Sequence, residues 1–431
     1  MNRLVVLMRY AIVGALGAIT QTGVLYLWIS VLHLEETYIL GVVIGFCLAL
    51  ALTFSLQKWW TFKDDSTART RRQFIVYTAI ALVSVALNAG LLQGTKTMFD
   101  IFNIDFFQMW YLIAEVVIVA LVAFLSFFAN RVLTFPGSNR PKSIVLIGAS
   151  GLVGSEIVPL LRACRYRVIA PTHHELDITN EFALRAFLQK HVPTHVINMA
   201  ALLNVNDIES DPEPARRLNA IASESIVRIL AEEHIGAHYI FMSTSYVLRE
   251  DSAPQGETSA TEPVNAYGTT KAEGEKLIEN TCVRFSIPYI MVRTSWIYGF
   301  ARETFVDEVV KKLQSGEAFL AATDQVGNLT SAHDLAEALV SFVTTPRASG
   351  IYHVFNNDER GVSRFDIARD IADFLNIPPA KVMAGTREDI FKGGKRPSII
   401  LLNTKLPPLR DWREALHEYL EERYGTTHVS R

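Results

Sequence analysis

Two rhythms of apolar and polar residues divide the chain. Up to about Phe135 the apolar residues come in long blocks, Tyr10–Leu32, Tyr38–Trp60, Phe74–Thr97 and Met109–Thr134, and charge is sparse. Each block exceeds the roughly 20 residues that a helix needs to cross ~30 Å of hydrocarbon. Four such segments with aromatic residues near their ends are hard to bury within a soluble domain, so the pattern predicts four transmembrane helices. From Ser143 the rhythm shortens. SIVLIGAS, RVIAPT, THVINMAA, HYIFMSTS and IPYIMVRTS read as strands, separated by stretches of helical period such as GLVGSEIVPLLRA. That alternation predicts an α/β Rossmann domain with a parallel, doubly wound sheet, completed by a small C-terminal substrate-binding part. The expected organisation is a membrane domain at 1–136, a tether at 137–142 and a soluble domain at 143–431.

Charge orients this plan. Arg3 and Arg9 precede the first block, Lys63, Arg69, Arg71 and Arg72 fill the second connection, and Arg131, Arg140 and Lys142 follow the fourth block. The first and third connections, HLEET and MFDIFNIDFFQ, have no Lys or Arg. The positive-inside rule then puts the N-terminus and the soluble domain in the cytoplasm of a multi-pass protein of the plasma (inner) membrane. The start MNRLVVLMRY leads into a full spanning segment rather than a cleavable signal. The tether PGSNRPK spans at most roughly 20–25 Å extended, which would hold the soluble domain close beneath the membrane. A net charge of −3 offers nothing to nucleic acid. Cys47, Cys164 and Cys282 are too scattered for a disulfide framework or a metal site, and suit a reducing cytosol.

The membrane blocks repeat. QKWWTF at Gln57–Phe62 closes the second, and NRVLTF at Asn130–Phe135 closes the fourth. Each follows a helix pair that begins with a basic-aromatic signal, MRYAIVG or RRQFIVY, so the units are parallel repeats. These residues resemble the GtrA-like family of four-helix membrane proteins, over nearly all of positions 5–136. The resemblance implies membrane lipids as partners and handling or translocation of a polyprenyl-phosphate-linked sugar. Inside the blocks Glu115 is the acidic residue, with Gln21, Asn88 and Gln93 as further polar positions, and an intramembrane carboxylate is a functional candidate. Gln57–Lys58 and Asn130–Arg131 are expected at the interface as anchors, with basic groups snorkelling toward lipid phosphate.

In the soluble half, GASGLVG carries Gly148, Ser150, Gly151, Leu152, Val153 and Gly154 between a strand and a helix. Glycines spaced this way allow a tight turn and close approach of backbone to a pyrophosphate at the helix N-terminus. The pattern is weak alone and gains from its context. Tyr267 and Lys271 form a YxxxK pair on one helix face. That spacing arises by chance about once in such a chain, so its weight rests on the STS tripeptide, Ser243–Ser245, at the end of an upstream strand. Lys271 near the phenol would favour tyrosinate and lower its pKa. Tyr267 could then protonate a carbonyl oxygen as the carbon receives hydride, while Thr244 hydrogen-bonds that oxygen.

With these motifs come ELDIT, INMAA, STSYV, NAYGTTKAEGE, RTSWIYG, DQVGNLT, GIYHV and KRPSIILLNTKL, in order. From Ser143 to Tyr424 the chain resembles an extended short-chain dehydrogenase/reductase of the dTDP-4-dehydrorhamnose reductase family. The resemblance implies a catalytic set of Thr244, Tyr267 and Lys271. It implies cofactor contacts from Gly148, Ser150, Gly151, Leu152, Val153, Gly154, Asp177, Ile178, Ala201, Leu202, Leu203, Tyr267 and Lys271. Thr244, Ser245 and Trp296 would meet the substrate, a nucleotide-linked keto-sugar; no metal is implied, and a homo-oligomer is compatible. Three departures fall on the substrate side: Ser245 where the family commonly has Asp, Leu203 with Val205-Asn206 where it has Thr and Val-Asp, and Leu329 for a proline. RVIAPTHH puts Thr172 and His173 at the end of the second strand, with no carboxylate until Glu175, which favours NADPH while leaving NADH open. Two other readings share the fold: a nucleotide-sugar epimerase or dehydratase, and a non-catalytic cofactor-binding regulatory module like the regulatory subunit of methionine adenosyltransferase.

Overall fold

A computed structural model describes residues 3–62, 70–101, 110–135, 142–358, 360–391 and 395–425. Lys63, Arg69, Met109, Arg140 and tether residues 137–141 lie outside these, as do the side chains of Arg3 and Glu115. The chain divides into two compact units, Met1–Arg140 and Pro141–Arg431.

The first unit contains four helices long and apolar enough to cross a membrane, within Val5–Val31, Tyr38–Thr61, Thr70–Thr95 and Val116–Thr134. Their outward faces are apolar: Val83 and Val116 are 65% and 70% exposed. Such a surface suits hydrocarbon rather than water, and the helices satisfy their own backbone groups. The repeat has a structural counterpart. Gln57–Thr61 and Asn130–Thr134 are both π-helical turns, and each ends on a phenylalanine whose N–H donates to the first carbonyl of its turn, at 2.9 and 2.8 Å. Phe62 and Phe135 then stack on each other, centroids 4.7 Å apart, inside an aromatic cluster with Phe54, Tyr77 and Phe127.

The expectation of interfacial anchors fails for three of the four residues. Gln57, Lys58 and Asn130 turn inward and are 2%, 3% and 2% exposed. Lys58 donates to Gln73 Oε1 at 2.7 Å, and the Asn130 amide donates to the Tyr10 hydroxyl at 3.1 Å. The π turns cause this, because the extra residue per turn rotates the polar side chains toward the partner helices.

The second unit is built on six parallel strands: β1 (Ser143–Ile147), β2 (Arg167–Ile169), β3 (His195–Asn198), β4 (His238–Met242), β5 (Tyr289–Arg293) and β6 (Gly350–His353). Their spatial order is 2-1-3-4-5-6. Alternate residues feed two cores, as expected for a sheet covered on both faces. In β1, Ile144 and Leu146 join one core while Val145 and Ile147 join the other. A third cluster, with Val306, Val310, Phe319, Ile371, Trp412 and Leu416, forms the smaller C-terminal part. The order reverses direction between β1 and β3, and the crevice beyond the C-terminal ends of those strands is where ligands of open α/β sheets bind.

Candidate active site

The turn after β1 shows why glycine is needed. Gly148 has φ +86°, and a Cβ there would lie 2.9 Å from the Ala200 nitrogen on the neighbouring loop. The chain turns into the helix Leu152–Ala163, whose N-cap, Gly151, has no side chain to satisfy the first amides. Those amides are therefore available to an anionic ligand.

The strand next to it supplies the second wall. Asn198 closes β3: its amide donates to Ser223 Oγ and the Tyr239 hydroxyl at 3.0 and 3.1 Å, and its carbonyl accepts from Ala200 N at 3.1 Å. The loop that follows is clamped by Asn219, fully buried on a π-helical turn. Asn219 accepts from Leu202 N at 2.9 Å and donates to Leu202 O and Thr270 Oγ1, both at 3.1 Å. One side chain thus ties the loop carrying Ala201–Leu203 to the helix carrying Tyr267.

That helix, Ala266–Phe285, is capped by Asn265, whose carbonyl accepts from Gly268 N at 2.7 Å. A Cβ at Gly268 would overlap the Tyr246 carbonyl oxygen, so glycine here lets the helix press against the segment after β4. Its first turns deliver Tyr267 and Lys271 beneath Thr244, which follows β4 and caps the short turn Ser245–Val247. Lys271 is 1% exposed; its ammonium donates to the Met242 carbonyl at 2.6 Å and lies 3.8 Å from the centre of the Phe241 ring. Burial lowers Lys271 to about 7, with the Glu275 carboxylate opposing that fall. One helical turn on, Glu275 forms a buried ion pair with Arg293 at 2.6 Å.

Tyr267 differs from the expectation. Burial pushes its phenol well up from its ordinary value, a hydrogen bond with Thr244 pulls it part of the way back, and Tyr246 pushes it up again. The lysine is bound to a backbone carbonyl, so in this state Thr244 lowers the phenol rather than Lys271.

These elements enclose a cleft of about 530 Å³. It is lined by Gly148, Ser150, Gly151, Leu152, Val153, Gly154, Ala201, Leu203, Thr244, Ser245, Tyr267, Lys271 and Trp296 of the residues named from sequence. Asp177, Ile178 and Leu202 do not line it. Asp177 accepts from the Thr179 amide and hydroxyl at 2.9 and 2.7 Å, Ile178 is buried in the core, and Leu202 turns outward, 42% exposed. Sequence reasoning left Ser243, Tyr246 and Arg302 unassigned, and all three line the cleft. The Ser243 hydroxyl is buried with no hydrogen-bond partner among the described residues, which leaves it to a ligand. Asn219 was missed too; only its register on a helix before the YxxxK segment could have marked it.

Known proteins match both units. The family model for the RmlD substrate binding domain matches residues 142–424, and the model for the GtrA/DPMS transmembrane domain matches residues 9–135. A probable dTDP-4,6-dihydroxy-2-methyloxan-3-one 4-ketoreductase of Streptomyces antibioticus is 32% identical over 66% of this chain and 96% of its own length. A dTDP-4-dehydrorhamnose reductase of Mycolicibacterium smegmatis is 32% identical over 66% of this chain and 86% of its own length. The crystal structure of the Bacillus anthracis dTDP-4-dehydrorhamnose reductase in complex with NADP superposes with a TM-score of 0.61 and 25% identity, covering 66% of this chain and all of that one.

Proposed function

The chain belongs to the RmlD substrate binding domain family over residues 142–424, and from that premise we propose that it is an NADPH-dependent reductase of a 4-keto nucleotide-sugar, resembling dTDP-4-dehydrorhamnose, attached to a bundle that handles a polyprenyl-linked sugar. The observation that carries the reading is the meeting of Thr244, Tyr267 and Lys271 with the uncapped glycine turn in one cleft. The residues fit a dinucleotide: the Gly148 turn leaves room for backbone approach, and the first amides of Leu152–Ala163 meet a pyrophosphate.

When bound, the nicotinamide supplies a hydride to the carbonyl carbon. Everything else falls to the chain. Thr244 and Tyr267 hydrogen-bond the carbonyl oxygen, and Tyr267 transfers its proton to that oxygen as the alcohol forms. The resulting tyrosinate needs the Lys271 charge nearby and a proton from solvent to reset. The buried Glu275–Arg293 pair fixes the helix turn below Lys271. Past the end of β2, Thr172 N and Oγ1 both donate to Glu175 Oε2, at 2.8 and 3.0 Å, which fixes that carboxylate in place and keeps it ionised. The absence of any carboxylate in RVIAPTHH before Glu175 and the NADP-bound relative support NADPH over NADH.

The charge pattern of the connections supports an N-terminus and a reductase unit in the cytoplasm, where nucleotide-sugars are made, with residues 137–142 as the tether. The test is turnover by the full chain in lipid nanodiscs, with NADPH and a panel of nucleotide-linked keto-sugars. NADPH oxidation that disappears in Tyr267→Phe is expected; equal turnover by that variant refutes the assigned proton donor. NADH used as efficiently as NADPH refutes the cofactor choice. For the bundle, cells carrying only residues 137–431 should make abnormal envelope sugars, and normal ones would end the lipid-linked role.

A further inference from the structure

The six strands of the second unit run parallel, so their N-terminal ends share one edge of the sheet, at the far end from the cleft. Their register aligns these ends: Ser143 lies beside Arg167, Ile144 beside His195, and His195 beside His238. The tether joins the unit at this edge, because Lys142 directly precedes β1.

The edge is basic. Arg162, Arg165 and Arg167 surround the entry to β2, and Lys142 and Lys190 stand before β1 and β3. Arg284 and Arg347 stand before β5 and β6, and all of these side chains are exposed. Residues 162–167, 190–195, 284–289 and 345–350 contain no Asp or Glu. Glu232 and Glu233, before β4, are both paired with Arg185 at 2.6 Å. Among the described residues, none of the exposed cations just named is in an ion pair. The histidines between them register the resulting field. Burial lowers His195 to about 3, and His238 and Lys142 push it the same way; His191 falls through burial, Lys190 and Arg167. The loops at the cleft end mix their signs instead: Glu175 and Asp177 follow β2, Glu250 accompanies Arg249 after β4, and Glu303 accompanies Arg302 after β5.

The same edge exposes apolar side chains. Val283 and Phe285, in the last turn of the helix Ala266–Phe285, are 67% and 41% exposed, and the Arg284 guanidinium between them lies 5.1 Å from the centre of the Phe285 ring. Nucleic acid or an acidic protein would match the cations but offer nothing apolar to this pair. A layer of anionic headgroups over acyl chains matches both. The tether PGSNRPK, at most roughly 20–25 Å long, also ties this edge and not the cleft end to the last spanning segment. We infer that the basic edge of the second unit binds the anionic headgroups of the bilayer that holds the bundle, and so turns the cleft toward solvent. The inference goes beyond the reductase reading and does not depend on it.

The experiment uses the full chain in nanodiscs whose lipids carry a headgroup quencher, with a fluorophore on Cys164, exposed in the loop between Arg162 and Arg165; Cys47→Ala removes the other exposed thiol. A second label, on His173→Cys in a Cys164→Ala background, reports the cleft end. Quenching at residue 164 should be roughly twofold stronger or more in phosphatidylglycerol than in phosphatidylcholine, and that excess should vanish in about 1 M salt, where the Debye length is about 3 Å. Residue 173 should be quenched less, and equally in both lipids. Each basic residue at an anionic surface strengthens binding roughly fivefold, so Arg162→Glu, Lys190→Glu and Arg284→Glu together should abolish the excess, with Tm as the check on folding. Equal quenching of residue 164 in both lipids overturns the inference without any variant and leaves the edge to a soluble acidic partner. Equal quenching of residues 164 and 173 in phosphatidylglycerol, or an excess that survives the folded triple variant, also overturns it. Should no keto-sugar be reduced while the excess persists, the reductase reading fails and the lipid-binding edge stands.

Discussion

Two regions of this molecule bury a lysine in nearly the same way. In the membrane unit Lys58 is 3% exposed and donates to Gln73 at 2.7 Å; in the soluble unit Lys271 is 1% exposed and donates to Met242 O at 2.6 Å. Burial and a short hydrogen bond therefore do not mark a catalytic lysine. What separates them is their surroundings. Lys58 belongs to a π turn closed by the stacked Phe62 and Phe135, whereas Lys271 lines a cleft with a phenol one helical turn away and a glycine turn opposite. A buried charge becomes chemical when the structure leaves space beside it for a reacting group.

The largest test of this contrast is Tyr267→Phe, which should cut NADPH-dependent turnover roughly 10²- to 10⁴-fold while leaving NADPH binding intact, as read by fluorescence titration. Thr244→Val should cost roughly ten- to a hundredfold in kcat, because one hydrogen bond to the developing alkoxide is lost. Lys271→Met should also remove a pH dependence. An unfolded lysine keeps its ordinary value, 10.5, but in the fold Lys271 titrates near 7. Between those values the unfolded chain binds more protons, so without cofactor the wild-type protein gains stability as pH rises through that window. The Tm of Lys271→Met should lack that gain. At the small end, Lys58→Met should leave turnover unchanged, and a loss comparable to that of Lys271→Met would break the comparison.

The legible parts of the molecule were those written in local periodicity. Four apolar blocks, the strand that ends in GASGLVG, and the i,i+4 pair Tyr267–Lys271 each declare themselves within about 25 residues, and the structure contains the helices, the strand and the shared face. The less legible parts depend on chain segments that meet only after folding. Asn219 joins Leu202 to Thr270, Arg364 reaches Trp296 from another element, and neither pairing leaves a periodic trace. The inward turn of Gln57, Lys58 and Asn130 was hidden for a different reason: a π turn displaces the side chains from the positions that a 3.6-residue period assigns. For Tyr267 the sign of the pKa shift depends on where the lysine's hydrogen bond goes, which a spacing cannot reveal.

The stacking of Phe62 on Phe135 has an implication for ancestry. It is a contact between equivalent positions, so a two-helix protein half the size of this bundle could make it with a second copy of itself. Joining both copies on one chain removes the need for them to stay alike. The outward residues of the two turns already differ: Trp59 and Trp60 on one, Val132 and Leu133 on the other, all exposed. Carrying both turns on one chain gives this bundle two non-identical flanks, a polarity that a pair of identical subunits could not encode.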